Sequence, residues 1–218
     1  MSPLQSVAWK RRTRSDVRSD LVLEPALADR VAAKLKSRGD TVAVAEGSCG
    51  GLISASLLAV PGASKYFVGG SVIYTRTAKE ALFPHIETAR GMRGATEEWV
   101  TWLARAARDR MGTTWGIGEG GAAGPTNPYG DPAGHAWFAV AGPDDAVRTR
   151  HVLTGIDDRP TNMVEFTKAA IALLEECIDS RERRSWPSRT RGGRVEPHPD
   201  AVRRRCDEGP RGANDDET

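Results

Sequence analysis

TVAVAEGSCGG, residues 41–51, decides how the rest of the chain is read. Thr41 to Ala45 form a short apolar run rich in β-branched residues, the mark of a buried strand. The run stops at Glu46-Gly47-Ser48-Cys49-Gly50-Gly51, and the apolar segment Leu52 to Leu58 behind it has the composition of a helix. A strand, a glycine-rich turn and a helix start in that order aim backbone N–H groups and a helix N-terminus at one point, which suits an anion or a developing oxyanion. The same pattern also makes an ordinary strand-to-helix corner whose glycines serve only the sharp turn. The glycine spacing fits neither a dinucleotide fingerprint nor a Walker loop.

Upstream, residues 24–38 (EPALADRVAAKLKSR) place Leu27, Val31 and Leu35 four apart beside Ala28 and Ala32, so one helical face is apolar and Gly39 can end it. Downstream, Val60-Pro61-Gly62-Ala63 breaks the second helix. Lys65 to Tyr74, KYFVGGSVIY, then reads as a strand whose Gly69-Gly70 pair suggests a bulge or a close backbone approach. Thr77 and Glu80 have capping-box spacing and predict a short helix from Ala78 to about Phe83, with Lys79 in its first turn. A cation there is mildly disfavoured by the helix dipole.

Thr96 can cap a long helix to Met111 that carries Trp99, Trp102, Leu103, Ala106 and Ala107 on one side, with Gly112 after it; the tryptophans read as core or oligomer contact. Trp115 to Gly118 is strand-like. It runs into Gly120-Gly121-Ala122-Ala123-Gly124-Pro125, and the polar loop that follows through Asp131 has too little apolar content for a core and belongs at the surface or over a site. His135–Ala141 and Val147–Thr154 read as a hairpin around Asp144-Asp145, and a closing helix from about Thr161 to Ile178 buries Val164, Phe166, Ala170, Leu173, Leu174 and Cys177. Strands alternating with helices, then a hairpin and a helix, predict an α/β fold: a three-layer α/β/α domain with a mixed, mostly parallel sheet over about 21–180.

The ends have a different character. Residues 1–20 hold five Lys/Arg and two acids, and residues 181–218 hold ten arginines and eight acids with almost no apolar clusters, so both are expected to be disordered tails. The domain between them carries 16 basic and 19 acidic residues, a net charge of −3 against +2 for the whole chain. The basic character therefore belongs to the tails, which can attract nucleic acid weakly and in a salt-dependent way without specific recognition. Cys49, Cys177 and Cys206 lie far apart in no metal-ligand spacing, and no apolar leader or 18-residue apolar run is present. A metal, a membrane span and secretion are not expected; a reducing cytoplasm fits.

Four stretches resemble one known family, the CinA C-terminal domain, whose members include the nicotinamide-nucleotide amidohydrolases. They are Ala45-Glu46-x-x-x-Gly50-Gly51; Val60-Pro61-Gly62-Ala63-Ser64-x-Tyr66-Phe67-x-Gly69-Gly70; Tyr74 with Lys79 five residues on; and the Gly-x-Ala-Gly-Pro stretch Gly121 to Pro125. The resemblance implies hydrolysis of the carboxamide of nicotinamide mononucleotide to the acid and ammonia, in pyridine nucleotide salvage, by a serine, a lysine and a tyrosine, with no cofactor, in an oligomer that is commonly a dimer. It places Tyr74 and Lys79 in the catalytic group. Glu46, Cys49, Gly50, Gly51, Gly121, Ala123, Gly124 and Pro125 then line the nucleotide site. A lysine serves as base for a hydroxyl only if its pKa falls well below about 10.4. N–H groups at Gly50-Gly51 could receive the oxyanion, and the Tyr74 hydroxyl could relay a proton or orient Lys79.

One position departs from the pattern. The family's nucleophilic serine directly follows the glutamate, and here that residue is Gly47. Ser48 can take over if Gly47 lets the backbone turn its hydroxyl to the site, or Cys49 can if a helix N-terminus lowers its thiol pKa. Failing both, the chain is a homologue that binds a pyridine nucleotide without turnover. An interaction module whose basic tails contact nucleic acid is the third reading.

Overall fold

The computed structural model describes residues 25–83, 89 and 91–185. Five strands form one sheet in the order β2-β1-β3-β4-β5, where β1 is Val42–Glu46, β2 Phe67–Val72, β3 Trp115–Ala122, β4 His135–Ala141 and β5 Val147–Leu153. β1 runs parallel to both β2 and β3, and β3, β4 and β5 are antiparallel neighbours. Among the described residues five α-helices flank the sheet: α1 (Pro25–Arg38), α2 (Leu52–Leu58), α3 (Arg76–Leu82), α4 (Glu97–Met111) and α5 (Arg159–Ser185). The α/β/α fold expected from the sequence is the fold observed. Among the described residues no helix is long and apolar enough to cross a membrane.

The two faces of the sheet are built differently. Val42, Val44, Ile117, Phe138 and Val140 point to one side, where α1, α2 and α5 pack with Val31, Leu35, Ile53, Phe166 and Leu174. Ala43, Ala45, Ala139 and Ala141 point to the other, where α4 lays Trp99, Val100 and Leu103 on a floor of small side chains. β3 takes that economy furthest. A Cβ at Gly116, Gly118 or Gly120 would collide with the carbonyl oxygen of Ala104, Val100 or Gly94, so α4 and the segment before it lie directly on the β3 backbone. Paired with β4 as far as Ala122 and His135, strand β3 continues four residues beyond the expected end at Gly118.

Three other expectations are corrected. α3 is capped by Thr75, whose hydroxyl accepts the Ala78 N–H at 3.1 Å, and not by Thr77. Glu80 pairs instead with Arg76 at 3.0 Å, which leaves Thr77 without its capping-box partner. Lys79 consequently sits in the last turn of the helix, where the dipole favours a cation. α5 runs to Ser185 rather than ending near Ile178, drawn on past its apolar stripe by charge pairs to the α1 side: Lys34 with Asp179 at 2.6 Å and Arg181 with Asp40 at 3.4 Å. The expected tails, 1–20 and the rest of 181–218, lie outside the described residues. The Gly69-Gly70 expectation is met in both forms: the β1–β2 register slips by one between Val42 and Ala43, and a Cβ on Gly70 would strike the Ser54 side chain.

Candidate functional site

The chain leaves β1 for β2 on one side and returns to β3 on the other, so the sheet order reverses at β1/β3. Clefts form beyond the carboxyl ends of strands at such a reversal. β1 pairs with β3 only as far as Ala45 and Gly118. The next stretch of β3 faces a cavity of about 340 Å³ in place of a neighbouring strand. Gly47 and Ser48 form its wall after β1, Ile73 and Tyr74 after β2, Arg76 and Lys79 on α3, Trp99 on α4, and Gly120 and Gly121 on β3. Asn127, Pro128 and Tyr129 come over it from the polar loop, which is one of the two positions the sequence allowed for it. Two larger cavities, of about 590 and 610 Å³, open at the other end of the strands, around Trp115 and Gly142.

Two fully buried carboxylates hold the turn after β1. Glu46 accepts the N–H groups of Ile53 at 3.1 Å and Ser54 at 3.0 Å, and the Ser54 hydroxyl at 2.6 Å, so it caps α2 from below. Glu119 on β3 accepts the N–H groups of Gly47 at 2.9 Å and Cys49 at 3.0 Å through one oxygen, and the Ser48 hydroxyl through the other. Burial raises the Glu119 carboxyl above the ordinary glutamate range, and the negative charge of Glu46 adds to the rise. The hydrogen bonds from Ser48, Cys49 and Gly47 work the other way.

This arrangement engages the N–H groups of Gly47 and Cys49 inside the turn. The Gly50 N–H closes the turn onto the Gly47 carbonyl at 3.2 Å, and Gly50 and Gly51 adopt left-handed φ values of 66° and 101° that favour glycine. The glycine pair shapes the corner and does not line the cavity. Glu46 and Cys49 are likewise beneath the wall and not on it. Burial, with Glu119 and Glu46 nearby, pushes the Cys49 thiol well above its usual value, the reverse of what a helix N-terminus would do for a free thiol. Gly47 is absent from the left-handed glycines, so its backbone makes no turn that a serine could not.

Lys79 stands over the Trp99 ring, its ammonium 3.8 Å from the centroid, and Trp99 in turn stacks on Trp102 with centroids 5.5 Å apart. Burial lowers the Lys79 pKa from its ordinary value. The Tyr74 ring is 63% exposed, and its hydroxyl accepts a hydrogen bond from Arg159 at 3.0 Å. Arg159, at the start of α5, also donates to the Gly124 carbonyl at 2.9 Å, while Asn162 donates to the Ala123 carbonyl at 2.8 Å. Thus Gly121 reaches the cavity, whereas Ala123, Gly124 and Pro125 lie beside it and are tied to α5. The loop above is fastened by Arg93, which reaches both oxygens of Asp131 at 2.6 and 2.7 Å, and by His135, whose Nε2 is 3.0 Å from the Ala95 carbonyl.

The structure brings Ser48, Tyr74, Lys79 and Gly121 to one cavity. Sequence reasoning missed Glu119, Arg76 and Arg159 and read Trp99 as core or oligomer contact, whereas it also lines the cavity. Glu119 did leave a signal: it is the one ionisable residue in a strand, WGIGEGGA, whose neighbours are apolar or glycine. Taken together, the layers and the cavity define an α/β/α domain with a cleft at a sheet reversal. The chain belongs to the CinA C-terminal domain family, whose model matches residues 24–178. It is 34% identical over 168 residues to a CinA-like protein of Salinibacter ruber and 36% identical over 177 residues to one of Desulfosudis oleivorans, covering 75% and 80% of this chain. It spans only 39% and 42% of the length of those relatives. Among solved structures, a CinA superfamily protein from Klebsiella pneumoniae superposes with a TM-score of 0.65 at 26% identity, covering 71% of this chain and 96% of the other.

Proposed function

We propose that the cleft binds a pyridine ribonucleotide carrying a carboxamide, with nicotinamide mononucleotide as the leading candidate, and hydrolyses the amide to the acid and ammonia. The observation that carries this reading is the single cavity lined by Ser48, Tyr74 and Lys79. A serine hydroxyl supplies the nucleophile, a partly desolvated lysine moves a proton at neutral pH more readily than a solvated one, and a phenol beside them orients or relays. Arg76 and Lys79 put positive charge on a wall that also carries aromatic rings, which suits a phosphorylated, planar ligand.

Ammonia release from nicotinamide mononucleotide by the purified protein tests the proposal. Turnover that Ser48→Ala abolishes is the expected result; full turnover by Ser48→Ala removes Ser48 as nucleophile, and no turnover by the native protein removes hydrolysis. A second reading, binding without turnover, is favoured by one observation: Gly47 carries no side chain, and the neighbouring Ser48 hydroxyl is turned onto Glu119. Stabilisation by the nucleotide with no ammonia is the outcome that selects it.

A further inference from the structure

We infer that Glu119 is the base for Ser48, so that the nucleophile's proton leaves into the protein interior and not to Lys79. This rests on the hydrolytic reading of the cleft. A base must lie within hydrogen-bond reach of the proton it takes. The Ser48 hydroxyl donates to Glu119 Oε1, whereas the Lys79 ammonium faces the Trp99 ring. Glu119 cannot swing away, because its second oxygen is fixed by the Gly47 and Cys49 N–H groups from either side of Ser48. The carboxylate and the serine are therefore held as a unit by the turn itself. Ser48 lines the cavity and Glu119 does not, so the base is screened from both water and substrate. Glu46 on β1 is the charged group acting on it and makes its charged form less favourable, while the Cys49 N–H in the turn favours that form and burial outweighs it. A carboxylate so placed is a stronger base than an exposed glutamate.

The proton count closes with two groups working in turn. In acylation the Ser48 proton passes to Glu119, Ser48 Oγ bonds to the amide carbon, and the C–N bond breaks as the leaving nitrogen takes a proton from the Lys79 ammonium and departs as ammonia. In deacylation water adds to the acyl carbon and gives its proton to the neutral Lys79 amine. The ester C–O bond then breaks as Ser48 Oγ recovers its proton from Glu119. The sum is amide plus water to acid plus ammonia, with every side chain restored. Lys79 acts first as an acid, which asks only that it be protonated at rest.

The test uses the full chain, phenylmethanesulfonyl fluoride as a serine probe, and ammonia release from nicotinamide mononucleotide beside it. Sulfonylation forms an O–S bond at Ser48 and expels fluoride, and it needs the same proton removal. The expected result is one adduct, mapped to Ser48 by peptide mass spectrometry, formed about a hundredfold or more slowly in Glu119→Gln, the usual range for loss of a general base. Glutamine keeps an oxygen to accept the turn's N–H groups, so circular dichroism should match the native protein. The native labelling rate should rise with pH to a plateau well below the ordinary lysine value of about 10.4. Should Glu119→Gln fail to fold, Lys79→Ala decides: an unchanged labelling rate and pH profile without the lysine supports the assignment, and labelling about a hundredfold slower overturns it. Equal labelling of native protein and Glu119→Gln, or no adduct at Ser48, also overturns it. A Glu119-dependent adduct without ammonia supports the pair while refuting the hydrolysis of this nucleotide; ammonia release untouched by Glu119→Gln does the converse.

Discussion

A Cβ built on Gly47 would lie 3.5 Å from the carbonyl oxygens of Glu119 and Ile73, which is ordinary contact, and the backbone there is not left-handed. Gly47→Ser should therefore fold with an unchanged melting temperature and place a second hydroxyl on the cavity wall. Because a displacement of about 1 Å at a reacting atom can cost a hundredfold in rate, restoring the hydroxyl at this position should raise ammonia release by about that factor; a flat or reduced rate in a folded variant counts against it. Cys49 offers the opposite case. With its thiol buried and its pKa pushed up, it should resist iodoacetamide at neutral pH in the folded protein, and peptide mass spectrometry should find it modified only after unfolding. Rapid alkylation of the native thiol would return it to the list of nucleophiles. Single residues were legible in the sequence where a motif carried them, as with Ser48, Tyr74 and Lys79. Glu119 was not, because the glycines around it exist for the approach of α4 and erase the alternation that marks a strand, so the acid fell between the strand expected to end at Gly118 and the glycine stretch from Gly120.

At the scale of elements, the contact between α4 and β3 sets the distance from Trp99 to the turn after β1. A Cβ on Gly118 would overlap the Val100 carbonyl and lie 2.7 Å from the Ala104 nitrogen, both parts of the helix backbone that cannot rotate aside. Gly118→Ala should cost about 1–3 kcal/mol or more by overpacking, read as a lower denaturant midpoint, and should slow turnover by displacing the wall that supports Lys79. A variant as stable as the native protein would mean that helix and strand part without cost. The periodic elements were readable beforehand, since α1, β1, α4 and the β4–β5 hairpin each follow one clear spacing. Their ends were decided by partners distant in sequence. The local pattern points to Thr77, but Glu80 pairs with Arg76 and Thr75 is the cap used. The end of α5 depends on carboxylates and cations contributed with α1, which no local period contains.

For the whole domain, the large side chains on one face of the sheet and the small ones on the other have a joint consequence at the strand ends. Glu46 and Glu119 belong to the face covered by α1, α2 and α5, while Trp99 and Lys79 belong with the α4 side, and the cavity lies between these sets. A ligand that fills it bridges both cores, and it can do so only in the folded state. A ligand that binds the folded state alone, at a free concentration 100 times its dissociation constant, adds about 2.7 kcal/mol. For a chain of this size each kcal/mol moves the melting temperature by about 2–4 °C, so nicotinamide mononucleotide should raise it by roughly 5–11 °C. Lys79→Ala and Arg76→Ala should each reduce that rise, because both cations stand on the wall facing the ligand's negative charge. The unphosphorylated nucleoside at the same concentration should give a smaller shift than the nucleotide. Equal shifts for the two would take the phosphate out of recognition and leave the aromatic wall to carry it, whereas no shift with either would show that this cavity does not hold a pyridine nucleotide.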